Sequence, residues 1–206
     1  MENYPVSLSI DYSEKSNRVT VLFRLFLAIP ILIILVLLTS SGYDTEHATK
    51  EMGHVHYVGI LFLPTLLMIV FMRKYPKWWF DWNLALTKFS IRVFSYLLLL
   101  RDEYPSTDEE QAVNVEINYP DVEKDLNQWL PLVKWLLAIP HYIVLILILI
   151  GVIISTILAW FIILFTGKYP KSMFDFVVGF LRWALRVNAY AILLTTDEYP
   201  PFSLSN

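Results

Sequence analysis

Trp135 to Thr166 reads WLLAIPHYIVLILILIGVIISTILAWFIILFT, a stretch with no charge apart from a possible one on His141. How this run divides decides the fold. Taken as one helix, it is a single long, tilted element. Taken as two, it is a hairpin of crossings, each shorter than the roughly 20 residues a span usually needs. An earlier region favours the hairpin. Thr20–Leu38 carries only Arg24 as a charge, Val55–Met72 carries none apart from His56, and the polar loop Thr39–His54 separates them.

The two regions are comparable because the chain repeats its landmarks. Val6–Tyr12 returns as Val113–Tyr119, Leu27–Pro30 as Leu137–Pro140, and Lys74-Tyr-Pro-Lys77 as Lys168-Tyr-Pro-Lys171. Phe80-Asp81, Arg92-Val93 and Tyr96 match Phe174-Asp175, Arg186-Val187 and Tyr190. Both halves close on Asp-Glu-Tyr-Pro, at Asp102–Pro105 and Asp197–Pro200. We read a tandem duplication, residues 1–105 and 106–206. The halves differ in one place: 44 positions separate Pro30 from Lys74, but 28 separate Pro140 from Lys168, a difference of 16. A tight hairpin in the second half keeps both Lys-Tyr-Pro-Lys motifs on one side of a membrane, so the hairpin is the expectation over the single helix.

Each half has four pieces. Val6, Leu8, Ile10 and Tyr12 alternate with Ser7, Ser9 and Asp11, and Val113–Tyr119 repeats this period of two, a short strand. An apolar helix follows, interrupted by Pro30 or Pro140, which deprives the carbonyl of Phe26 or Leu136 of its helical donor. A second apolar helix comes next. Last, Lys77, Asp81, Lys88, Arg92 and Ser95 share one helical face, as do Lys171, Asp175, Arg182 and Arg186. Basic residues on one face with Trp and Phe on the other suit a helix lying in the headgroup plane.

Hydrophobic residues form 56% of the chain and mean hydropathy is +0.52, which with the apolar runs points to lipid. The first run follows a polar stretch and has no small-residue cleavage site behind it, so it reads as a retained helix and not a signal peptide. There is no cysteine, which excludes disulfides and thiolate chemistry. No basic stripe interleaved with aromatics suggests nucleic acid as a partner. The expected fold is an all-α membrane protein. It has four transmembrane helices as two parallel hairpins, each with an in-plane amphipathic helix, plus short strands meeting at Leu8 and Val115. Loop Thr39–His54 holds only Lys50 against Asp44, Glu46 and Glu51. The positive-inside rule therefore places both termini in the cytoplasm of a multi-pass protein.

Three longer strings resemble a known family. Trp135–Val144, Gly167–Lys171 and Arg182–Tyr190, completed by Thr196–Phe202, are similar to bacterial membrane proteins of domain-of-unknown-function family 4389. The first half departs from that pattern at Ala85, Lys88-Phe89 and Ser106. The resemblance implies a bacterial inner-membrane protein and no particular activity.

Candidate site residues follow from chemistry. Lys77, Trp78, Trp79, Trp82, Lys88, Arg92, Lys171, Arg182, Trp183 and Arg186 form the expected lipid interface, where each basic residue near an anionic surface contributes about 1 kcal/mol. Ordinary ion pairs such as Lys77–Asp81 and Lys171–Asp175 are the plainer reading of the same face. Arg24, Lys134 and His141 are polar residues within apolar runs: the first two read as snorkelling anchors, the third as a structural hydrogen bond near a proline-freed carbonyl. His47, Glu51 and His54 fall at helical spacing suited to a divalent metal, though an exposed loop explains them as well. No catalytic constellation and no cofactor are expected. The partners expected are membrane lipids, with a partner membrane protein or a second copy of the chain. A structural or accessory module heads the functional readings, ahead of a transporter or channel subunit and a lipid-acting enzyme.

Overall fold

A computed structural model describes residues 4–39, 57–107 and 109–205. Its elements are β1 (Val6–Ile10), α1 (Arg18–Thr39), α2 (Tyr57–Met72), α3 (Lys77–Leu97), β2 (Val113–Ile117), α4 (Val122–Asp125), α5 (Pro131–Leu137), α6 (Ile139–Thr166) and α7 (Lys171–Ala191). The strands pair antiparallel with Leu8 opposite Val115. Val6, Leu8, Ile10, Val113, Val115 and Ile117 point inward, while Ser7, Ser9, Asn114 and Glu116 face out. The alternation seen in the sequence is thus the two faces of a half-buried sheet.

Three layers follow from how the elements touch. The sheet is the first. Beneath it lie α3 and α7, and the pairing is crossed: β1 packs on α7 and β2 on α3. The third layer holds the apolar helices, α6 against α7 and α1 against α3 and α6. The buried core fills the middle, with Leu8, Val115, Phe80, Phe174, Leu181 and Leu185 in one cluster.

The hairpin expected in Trp135–Thr166 is not formed. α6 is one uninterrupted helix, so the scheme of two crossings per half is corrected for the second half. Gly151 and the Ser155-Thr156 pair, the only turn signals there, stay helical. A mid-helix glycine costs about 1 kcal/mol, far less than orphaning a turn's worth of backbone groups in an apolar layer. Thr156 also donates its hydroxyl back to the Val152 carbonyl at 2.8 Å. Division comes earlier, at Ala138, where Pro140 occupies the first turn of α6. Gly167 ends α6 at φ 73°, and its N–H reaches the Ile163 carbonyl at 2.7 Å. In the first half the chain continues helical through Pro30 to Thr39.

Two helices are long and apolar enough to cross a membrane, Arg18–Thr39 and Ile139–Thr166; Phe62–Met72 is apolar but shorter. The amphipathic helices α3 and α7, expected against lipid, form the middle layer, with α1 packed on α3 and α6 on α7, while Trp78 and Trp82 at the start of α3 stay exposed.

Candidate functional site

The outer face of the third layer is apolar from end to end. Along α6, Ile143, Ile146, Ile150, Ile154, Ile157 and Phe161 are each at least half exposed, and Phe165 is 80% exposed. On α1, Leu25, Phe26 and Leu37 are at least 70% exposed, and Phe71 on α2 matches them. Exposed Trp78 and Trp82 sit at the start of α3, Trp129 just before α5 and Trp135 within it. Arg18 and Lys168 are exposed where α1 begins and α6 ends, Arg73 and Lys74 where α2 ends. Apolar strips edged by Trp and by cations have the composition of a lipid boundary.

Behind this layer, the polar residues of the apolar runs are buried and engaged. Arg24 is 2% exposed. It donates to the Tyr96 and Arg101 carbonyls at 2.8 and 2.6 Å, pairs with Asp102, and lies 4.4 Å from the Tyr96 ring centroid. Lys134, with no exposure, repeats this in the other half. It donates to the Thr196 carbonyl and forms an ion pair with Asp197, both at 2.7 Å, beneath the Tyr190 ring. Each aspartate also accepts a backbone N–H, from Asn17 at 2.7 Å or Asn127 at 2.6 Å. Those asparagines cap the turns that follow, through Val19 and Trp129. Each cation therefore clamps an apolar helix to its closing Asp-Glu-Tyr-Pro turn. The sequence reading missed the aspartates, which lie 78 and 63 positions away. A usable signal existed: both halves carry the cation and the Asp at matched landmarks.

The Lys-Tyr-Pro-Lys motifs bind the halves crosswise. Tyr12 donates its hydroxyl to the Tyr169 carbonyl at 2.6 Å, and Tyr119 to the Tyr75 carbonyl at 2.5 Å. Lys171 stands 4.7 Å over the Tyr12 ring and Lys77 5.3 Å over Tyr119. Each lysine also pairs with its i+4 aspartate, Asp81 or Asp175, and remains more than half exposed. Burial pushes the Tyr75 and Tyr169 phenols well above their ordinary range, so both act only as neutral groups.

The remaining interface candidates separate by position. Trp79 is half-buried and donates to Thr65 at 2.8 Å. Lys88 is half-buried, and Arg92 donates to the Ser106 carbonyl at 2.8 Å. Arg182, Trp183 and Arg186, expected at lipid, lie instead under the sheet and the C-terminal tail. Arg182 donates to the Leu8 and Leu204 carbonyls, and Arg186, 4% exposed, to that of Ser205 at 2.9 Å. Trp183 donates its indole N–H to His141 Nδ1 at 3.1 Å, and the Phe202 ring stacks on that imidazole at 3.9 Å. The tail passes so close to α7 that a Cβ on Gly179 would lie 2.8 Å from the Leu204 carbonyl oxygen.

Residues 131–203 match the family described as Domain of unknown function (DUF4389). No curated protein and no solved structure matches the chain. The matched segment takes in α5, α6, α7 and the tail as far as Ser203, hence both members of the Lys134–Asp197 pair and the His141–Trp183–Phe202 stack.

Among the described residues no group of three or more His, Asp or Glu is placed to hold a metal. His47, Glu51 and His54 lie outside the described residues. An open cleft of about 570 Å³ lies between Arg73–Pro76 and Tyr119–Glu123. Its charged residues are of both signs and include no nucleophile set against a base.

Proposed function

We propose that the protein is a non-catalytic membrane module, built by tandem duplication, that serves a structural or accessory role at the bacterial inner membrane with its termini on the cytoplasmic face. The observation that carries this reading is the exposed apolar surface of α1 and α6, which pack together, and of α2 beside α5, opposite a sheet whose outward residues are Ser7, Ser9, Asn114 and Glu116. If each helix shows a strip about 10 Å wide, that surface is roughly 900 Å². Soluble monomers rarely expose apolar patches beyond a few hundred Å². At about 25 cal/mol per Å² its removal from water is worth on the order of 20 kcal/mol. That exceeds the whole stability of an ordinary domain, roughly 5–15 kcal/mol, so the surface needs a cover. Lipid suits it better than a core partner, because the strip is uniform along its length and edged by Trp and basic residues.

The module's contribution is a rigid platform. Its internal cations are held by Asp102 and Asp197, and the exposed Arg73, Lys74 and Lys168 face outward for headgroups or a partner protein. Fractionation of expressing cells tests the reading. The chain should pellet with membranes, resist a carbonate wash and require detergent for extraction. A monomer that stays soluble without detergent would overturn it.

A further inference from the structure

We infer that the protein seats on a single phospholipid leaflet, with α6 lying along the membrane plane and not across it. This rests on the membrane reading above and adds how the protein sits.

Both ends of α6 are tied to the two ends of one strand. Before α6 begins, the Leu137 carbonyl accepts from Tyr199, and the neighbouring Glu198 carbonyl accepts from Tyr4, just ahead of β1. After α6 ends, the Gly167 carbonyl accepts from the Ser16 N–H and the Tyr169 carbonyl from Tyr12, just past β1. Tyr4 and Tyr12 stand about 26 Å apart at 3.3 Å per extended residue, and a helix of 28 residues is about 42 Å long. The tyrosine side chains and turns bridge the difference only if strand and helix point the same way. α7 lies between them and runs in the opposite sense. Its Lys171 sits over Tyr12, Arg182 reaches Leu8, and Arg186 lies over Tyr4. On its other face, Phe176 meets Gly151 and Trp183 meets His141.

A shared axis means shared fate. Were α6 upright in the bilayer, the sheet would stand upright beside it. Its two outer strand edges, and the exposed Ser7, Ser9, Asn114 and Glu116, would then face hydrocarbon, where open sheet edges are not found. Laid flat, the same molecule turns that polar face to water and sinks the apolar strip about 5–10 Å into the acyl boundary. Exposed Arg18, Arg73, Lys74 and Lys168 at the helix ends then meet the headgroup layer. The flat pose also keeps both Lys-Tyr-Pro-Lys motifs on one side although no hairpin joins them.

The chain has no cysteine, so single thiols can be placed at will. Spin labels on Ile143→Cys, Ile150→Cys and Ile157→Cys, spaced seven apart along the exposed face, would be read for depth in phosphatidylethanolamine/phosphatidylglycerol vesicles. A flat helix gives three similar depths, whereas a crossing helix puts positions 150 and 157 near the bilayer centre and position 143 about 10 Å nearer a surface than position 150. Glu198→Cys and Lys168→Cys, exposed near opposite ends of α6, should react with an impermeant maleimide from the same side. Graded depths, or labelling from opposite sides, would overturn the flat seating while leaving the membrane reading intact. Three water-exposed labels on protein that does not float with vesicles would overturn both.

Discussion

Removing the two partners of the Lys134–Asp197 clamp should cost different amounts. Lys134 is wholly buried, and its ammonium has two oxygen partners, Asp197 and the Thr196 carbonyl. Asp197→Ala leaves that charge in the interior with one neutral acceptor. Stripping a buried pair of one member costs about 3–5 kcal/mol, and the surviving carbonyl places the expected loss near the lower limit, about 3 kcal/mol. Lys134→Met leaves the aspartate 21% exposed and still accepting from the Asn127 N–H, so water and a backbone donor keep it satisfied. Its loss should be about 1–2 kcal/mol. The double variant, with an apolar side chain in the vacated space, should lose less than the two singles together, because nothing charged stays buried.

Urea unfolding in a mild detergent, followed by tryptophan emission and by circular dichroism, measures all three variants against the parent. In a thermal scan about 3 kcal/mol corresponds to roughly 6–12 °C for a chain of this size. The order Asp197→Ala below Lys134→Met, with positive coupling in the double, is the expected result. Equal losses that simply add would refute the clamp, since they would mean that neither charge depends on the other. Asp102→Ala against Arg24→Met should give the same order, because Arg24 is equally buried and Asp102 keeps the Asn17 N–H.

Three further outcomes are expected. Gly179→Ala puts a methyl 2.8 Å from the Leu204 carbonyl oxygen, so the tail must lift; Arg182 and Arg186 lose acceptors, and limited proteolysis should cut after Phe202 at least several-fold faster than in the parent. His141→Leu removes the acceptor of the buried Trp183 N–H and should destabilise by about 1–3 kcal/mol, with a shift in tryptophan emission that Trp183→Phe abolishes. Leu147→Lys, on the 63%-exposed outer face of α6, should leave detergent-phase stability within about 0.5 kcal/mol while weakening vesicle binding by ten-fold or more, measured by flotation.

What could be read from the sequence was whatever depends on local chemistry. Alternation at Val6–Ile10 and Val113–Ile117 gave both strands and their inner faces. Pro76 and Pro170 marked where α3 and α7 start, because proline suits a helix entrance. The division of Trp135–Thr166 was not legible. In a uniformly apolar run, periodicity carries no information about a break, and comparison with the other half suggested a turn that the backbone has no reason to make. The roles of Arg182 and Arg186 were hidden for another reason. A basic helix face looks the same whether its acceptors are lipid phosphates or carbonyls of Leu8, Leu204 and Ser205, which come from the opposite end of the chain or from the tail. The clamps lay between these cases: the buried cations were singled out, but their aspartates are neighbours only in space.

The crossed strands bear on the DUF4389 match. Residues 131–203 supply α7, but the strand that covers α7 is β1, over a hundred positions earlier, and Arg182 donates to Leu8 within it. Likewise Tyr169 receives its hydrogen bond from Tyr12. The matched segment therefore lacks one of its own three layers. Cut out alone, it would uncover Val177, Val178, Leu181 and Leu185, all buried in the cluster that contains Leu8. It should express as an aggregating fragment unless residues 1–105 are supplied in trans. Restoration by that second fragment, read as a stoichiometric complex in detergent, follows from strand exchange. A stable, monodisperse 131–203 fragment would mean that α7 can be covered without β1.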